Sequence, residues 1–413
     1  MMNYSWKHTV AAASTLALSL IAAPFAFSQE SGALPTRLVE QVDFIGAAAL
    51  PTIDSIVVVG PYGMVGLLKE QDGGLKLHRH PNPPKEDFTA VAALSDAVAL
   101  VGSSSGNIYS YDGTTLTHIV KLSEYEEPVL AITAEGGSAW AVGGRGMVAR
   151  SDDGKSWTEL EIVDVKQPKI TWHSGAAESW YFGISNIDSD TIKFTGNVDG
   201  KPAVDREHYE VFSEEGYLQN NVPFDMDTPP TIEFNFNPGP PFRPGDVTWN
   251  VVLLQGENVL IAGEFGLVLQ SADGGETWVR RDSVLVDSEP DVAYWLSGTQ
   301  NSEKIILTGA AGVNSRSVDG GITWEIQPQP GNEGIFGISL LENGDPIVAG
   351  AVGLIGTFDG NDWAIADRTR LKLLSWLKNP VPRDDGSVLM LGGRSTAINY
   401  KDGEWTRVHV QVE

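Results

Sequence analysis

Short apolar runs recur along the chain, each followed by glycine- or aspartate-rich punctuation. Val247-Thr248-Trp249-Asn250-Val251-Val252, Val259-Leu260-Ile261-Ala262 and Leu267-Val268-Leu269-Gln270 follow one another in this way before a turn at Asp273-Gly274. Runs this short, rich in β-branched and aromatic residues, predict strands rather than helices. Several lack polar-apolar alternation, as expected where both faces of a sheet are covered.

Two kinds of punctuation repeat. The first is Gly-x-x-Gly after an apolar strand, at Gly60/Gly63, Gly143/Gly146, Gly263/Gly266, Gly309/Gly312 and Gly350/Gly353. Gly102/Gly106 is one residue longer, and Gly392-Gly393-Arg394-Ser395 lacks the last glycine. The second is an aspartate-glycine turn closed by tryptophan. Ser271-Ala272-Asp273-Gly274-Gly275-Glu276-Thr277-Trp278 and Ser317-Val318-Asp319-Gly320-Gly321-Ile322-Thr323-Trp324 are the same motif twice. Weaker copies run from Asp152 to Trp157, Asp359 to Trp363 and Asp402 to Trp405, with tryptophan-free remnants at Asp72-Gly73 and Asp112-Gly113. An aspartate can cap its own turn's amides, glycine supplies positive φ, and tryptophan covers the turn. These residues are read as structural.

The first glycines of the first marker stand at 60, 102, 143, 263, 309, 350 and 392, so every step is 41 to 46 residues except one of 120. Inside the long step, Ile170-Thr171-Trp172-His173 and Ser179-Trp180-Tyr181-Phe182-Gly183 resemble the strand pair that precedes Gly143. The remainder, at about 201–245, reads as an insertion. Four strands per repeat, many times over, predict an all-β propeller of four-stranded blades. The count is eight, or seven if the Trp180 unit belongs to the insertion.

Composition narrows the partner. Lys+Arg is 28 against Asp+Glu 54, a formal net charge of −26, which excludes nonspecific binding to nucleic acid or anionic lipid. With no cysteine there is no disulfide, thiolate metal site or lipoprotein anchor. Lys7 and His8 precede an apolar stretch from Thr9 to Phe27, and Ala26 and Ser28 are small residues placed for cleavage before Gln29. This predicts a signal peptide over residues 1–28 and a single propeller domain over 29–413, exported, periplasmic and monomeric, without membrane insertion after cleavage.

Ser-x-Asp-x-Gly-x-Thr-Trp, matched fully at 271–278 and 317–324, is the Asp-box or BNR repeat. Together with the Gly-x-x-Gly marker it resembles the photosystem II stability/assembly-factor-like family of propellers, across most of residues 40–410. The resemblance implies an exported, non-enzymatic helper that binds and helps assemble or stabilise a membrane protein complex, or another exported protein. The chain is acidic where that family carries a basic arginine patch, so the class of role is implied and not the client. The Asp-box also occurs in sialidases and sortilin-type receptors, which leaves a glycoside hydrolase and a sugar- or peptide-binding receptor module as alternatives.

A sialidase needs an arginine triad, a tyrosine nucleophile beside a carboxylate, and commonly Arg-Ile-Pro near its start. That tripeptide is absent, and no spacing singles out three arginines. His78 and His80 have no visible third ligand, and no Gly-x-x-Gly is followed by the Lys-Ser/Thr of a phosphate loop. No catalytic set, metal or cofactor is therefore assigned. The expected partner-binding residues are the middle residues of the Gly-x-x-Gly turns, Tyr62, Arg145, Glu264, Phe265 and Arg394, because turn chemistry does not ask for them and aromatic and arginine side chains dominate binding hot spots. Phe88, Trp172, Trp249, Trp295, Phe336 and Trp376 stand at similar places in successive units and are expected to fill the wedge between blades or to line the channel rim. The insertion, with Asp205, Glu207, Glu210, Glu214 and Glu215 ahead of a Phe/Pro-rich run to Phe242, is a third candidate surface.

Overall fold

The apolar runs pair into antiparallel four-stranded sheets, each a meander in chain order, and seven such sheets form the ring. In a computed structural model of the chain, residues 41–162, 247–281 and 293–412 are described, with the backbone of short strands between 169 and 235. The innermost strands of blades 1 to 7 are Gly46–Leu50, Phe88–Ser95, Val129–Glu135, Trp249–Gln255, Trp295–Gln300, Ile335–Leu340 and Leu377–Pro382. Seven blades, the smaller of the two predicted counts, is the architecture. The eighth expected blade is not in the ring: the inner strand of blade 4 packs directly on that of blade 3, and Trp140, Val142 and Val148 share one core with Val259, Ile261 and Leu269. Lys169–His173 pairs instead with Thr231–Asn235 and Ile192–Lys193, outside any blade. Trp180 and most of 201–245 lie outside the described residues, as does the expected signal peptide.

The cores lie between blades, which is why both faces of each sheet are apolar. Phe88, Val101 and Tyr109 of blade 2 pack with Val57, Val59 and Leu67 of blade 1. Leu389 and Leu391 of blade 7 pack with Ile56 and Val58 of blade 1 across the closing seam. There Val410–Val412 adds a fifth strand parallel to Gly74–Arg79, so the last strand covers the outer edge of the first blade.

The two exact motif copies are built alike. In blade 4 the Ser271 hydroxyl donates to Asp273 Oδ1 at 2.7 Å and accepts from the Gly275 amide at 2.8 Å. Asp273 then accepts from the Thr277 amide at 2.8 Å and hydroxyl at 2.6 Å, and Trp278 Nε1 donates to the Gly275 carbonyl. Ser317, Asp319, Gly321, Thr323 and Trp324 repeat the network in blade 5. In blade 3 the capping carboxylate is Asp153, which accepts from the Lys155 and Ser156 amides; the expected Asp152 is exposed beside it. Asp359 caps the amides of Asn361 and Asp362 ahead of Trp363. Asp402 instead takes positive φ itself in a two-residue hairpin with Gly403, ahead of Trp405. The turns also latch blades together. Arg150 of blade 3 reaches the Gly274 carbonyl of blade 4, and Gln270 of blade 4 reaches the Gly320 carbonyl of blade 5.

The Thr277 hydroxyl and amide hold Asp273 at a pKa of about 2, below its ordinary value. A carboxylate depressed on folding contributes stability above its unfolded pKa and loses it as pH falls toward the folded one. Asp273→Ala is expected to cost about 1–2 kcal/mol near neutral pH, the usual loss for a side-chain cap. Urea melts at several pH values should show the gap to the parent protein closing between about pH 4 and pH 2. A gap that stayed constant to pH 2 would contradict the capping role.

Candidate docking face

The Gly-x-x-Gly turns join the second and third strand of each blade, on the face opposite the aspartate turns. Their first glycine is required by close approach. A Cβ at Gly143, Gly263, Gly309, Gly350 or Gly392 would lie 1.9 to 2.3 Å from a carbonyl oxygen of the chain entering the blade's own inner strand. The residue after it donates its amide to that same carbonyl, as in Glu264 to Thr248 and Ala310 to Tyr294. Blade 2 places Ser103, not Gly102, opposite the first residue of its inner strand, which accounts for its longer spacing.

Beyond that glycine, six of the seven blades make a turn with two successive positive-φ residues. The pairs are Tyr62-Gly63, Arg145-Gly146, Phe265-Gly266, Ala311-Gly312, Val352-Gly353 and Arg394-Ser395. Each is closed by a backbone bond across the pair, such as Leu267 to Glu264 at 3.2 Å. The first position of such a turn favours Asn, Asp or Gly, because a Cβ is strained there. Here it holds a tyrosine, two arginines, a phenylalanine, a β-branched valine and one alanine. Strain of this kind persists where the surroundings enforce it, and the neighbouring blade does so at two turns. Asp87 accepts the Tyr62 amide at 2.7 Å, and Asp43 accepts the Arg394 amide at 2.8 Å.

The expected partner-binding residues do share this face, with different environments. Tyr62 is 91% exposed and Phe265 66%. Arg145 pairs with Glu127 at 3.2 Å while remaining largely exposed. Arg394 is exposed, and no bond of its side chain is seen among the described residues. Glu264 is engaged locally: it accepts the Thr248 amide at 2.9 Å and the Tyr294 hydroxyl at 3.0 Å. Burial raises its pKa, but these hydrogen bonds outweigh burial and leave it lowered. Glu264 thus holds the turn and presents Phe265 rather than meeting a partner itself.

Residues that the sequence reading passed over complete the face. Val352 and Ala311 occupy the same turn position as Tyr62. Tyr125 and Leu374, the latter 85% exposed, lie on the connections between blades, which open on this same face. Of nine exposed large hydrophobic residues among the described residues, six are here: Tyr62, Tyr125, Phe265, Tyr294, Val352 and Leu374. The long connection from blade 3 to blade 4 also leaves and returns here, with Ile162 and Val247 buried in one core and the Gly146 amide bonded to the Val247 carbonyl.

Of the wedge residues, Phe88, Trp249 and Trp295 are buried between blades at 0 to 3% exposure. Phe336 and Trp376 are each one position out of step, and the equivalent anchors are Ile335 and Leu377. The side chain of Trp172 lies outside the described residues. Among the described residues, two tyrosine hydroxyls donate to carboxylates, Tyr109 to Glu86 and Tyr294 to Glu264. In both, burial first and then the glutamate push the phenol's pKa up, so each hydroxyl stays a hydrogen-bond donor.

Comparison with known proteins gives the fold. No family model matches the chain, and no curated protein matches it. Among solved structures, one described as "YCF48 from Cyanidioschyzon merolae" is 14% identical, with a TM-score of 0.53 over 89% of this chain and 96% of that one. Another, "YCF48 bound to D1 peptide", is 11% identical, with a TM-score of 0.52 over 87% and 92%. The WD40 propeller domain of Doa1 is 10% identical, with a TM-score of 0.50 over 89% and 95%. At such identities the likeness shows a β-propeller and nothing finer.

Proposed function

We propose that this chain is an exported, non-catalytic docking propeller that binds and helps assemble or stabilise a membrane protein complex. The observation that carries the reading is the set of strained turns, which hold Tyr62, Arg145, Phe265, Val352 and Arg394 in a conformation their side chains disfavour and project them from one face. Aromatic and arginine anchors ringed by polar residues are what protein docking uses. One similar propeller was solved with a peptide bound, in keeping with a protein partner. The apolar stretch at 9–27 with its small-residue cleavage site supports export.

The test is affinity capture from detergent-solubilised membranes of the source organism, with the parent chain and a combined Arg145→Ala, Phe265→Ala, Arg394→Ala variant. The parent should retain a membrane protein and the variant should lose it. At these exposed sites each change should alter stability by about 0.5 kcal/mol or less, so the melting temperature should hold. Equal capture by the variant would refute the docking face. Cleavage of a glycoside panel that vanished in an Arg145 or Arg394 variant would overturn the non-catalytic reading.

A further inference from the structure

The inner strands carry a device that the docking reading does not use. In blades 2 to 7 each inner strand has a β-bulge directly after its buried anchor, so one extra residue opposes none on the second strand. Those extra residues are Thr89, Leu130, Asn250, Leu296, Phe336 and Lys378. A bulge re-aims a side chain, and all six line the central channel, a cavity of about 450 Å³ walled by three residues from each of the seven blades.

Three of the polar lining groups have structural tasks toward the next blade. Asn250 Nδ2 donates to the Trp295 carbonyl at 2.9 Å, and Asn379 Nδ2 to the Phe44 carbonyl at 2.8 Å. Thr89 does the same for Val129. Each of these carbonyls belongs to the neighbouring blade's anchor. Lys378 differs. Among the described residues it is the only ionisable one in the lining, and its ammonium has no ion pair or hydrogen bond with any of them. Protein encloses it closely enough that desolvation lowers its pKa, while the side chain keeps some access to the channel. The surrounding lining is mixed: Ile45, Leu130, Leu296 and Phe336 supply apolar side chains among polar side-chain and backbone groups.

A cation shielded on most sides by protein, with no counter-charge beside it, is stabilised when an anion joins it. A net charge of −26 works against anions at the outer surface, so a carboxylate would be held here by a local contact and not by the protein's overall field. We infer that the central channel is a binding site for a small organic carboxylate, its charged end on Lys378 and its apolar body against Phe336, Leu296 and Leu130. The inference goes beyond the docking face and does not depend on it.

Benzoate and its neutral analogue benzamide are the probes, titrated into the full chain by calorimetry at pH 7. Benzoate should bind at least about tenfold more tightly than benzamide, the factor expected of one charge-assisted hydrogen bond. Lys378→Met should bring the two within about twofold, while Lys378→Arg keeps the preference. The docking variant Arg145→Ala, Phe265→Ala, Arg394→Ala should bind benzoate like the parent. A readout on the unsubstituted protein covers the case in which Lys378→Met fails to fold: benzoate, and not benzamide, should slow acylation of Lys378 by an N-hydroxysuccinimide ester, followed by peptide mass mapping. Absence of benzoate binding, equal binding of the two probes, undiminished benzoate binding by Lys378→Met, or unprotected acylation of Lys378 would each overturn the site.

Discussion

Gly263→Ala should be among the most damaging single-methyl changes in this protein, although Gly263 has an extended backbone that any residue adopts. The obstacle is space. The added Cβ would stand 2.1 Å from the Thr248 carbonyl oxygen and 3.0 Å from the Trp249 Cα. That oxygen accepts the Glu264 amide at 3.1 Å and so cannot move without losing the bond that shapes the turn. Overpacking together with one broken buried hydrogen bond predicts a loss of about 3 kcal/mol. Gly320→Ala is the control, with φ of 76° and nothing within 4 Å of the new methyl, so only backbone strain of about 1–2 kcal/mol opposes it. Urea unfolding of both variants decides the point: an equal or larger loss at Gly320 would mean that close approach is not what selects glycine in the Gly-x-x-Gly turns.

Trp249→Ala should cost about 3–5 kcal/mol, the range for emptying a fully buried aromatic site. Trp249 is completely buried between blades 3 and 4, in the core that both sheets share. Its neighbours belong to strands in register with their own partners, so the cavity cannot collapse without shifting a blade. Phe336→Ala should cost about 1 kcal/mol, because its ring borders the open channel and leaves no closed cavity. Guanidinium melts of the two variants make the comparison, and similar midpoints would contradict the assignment of anchor and channel positions.

The difference between those two aromatics shows how far sequence reading reaches. Trp249 and Phe336 stand at similar places in the repeat, and one inserted bulge residue separates their fates. A bulge leaves little local mark, since it depends on how two strands pair and not on what either contains. Ile335 was hidden for the same reason beside the more conspicuous Phe336. The blade count met a similar limit. Ile170-Thr171-Trp172-His173 has strand composition, and strand composition does not state which strand it will join.

The candidate face was partly legible. Tyr62, Arg145, Phe265 and Arg394 could be picked out because glycines bracket them in a local turn whose geometry is set within four residues. Glu264 was picked out by the same rule and proved to be a support for its own turn, since its contacts with Thr248 and Tyr294 come from other parts of the blade and its neighbour. Tyr125 and Leu374 had no periodic marker, because the connections between blades vary in length.

By itself the sequence determined whatever is written in short-range terms: strands, glycine-bracketed turns, serine-aspartate caps closed by tryptophan, and a repeat that forces a propeller. Backbone sterics and local hydrogen bonds act over a few residues, so their requirements appear as residue types at set spacings. Only the tertiary structure decided that seven sheets close the ring, which side chains the bulges turn to the axis, and that Lys378 lines a cavity where no described residue supplies a counter-charge. Those outcomes depend on packing between residues hundreds of positions apart, as where Asn379 meets Phe44, and no spacing along the chain encodes them.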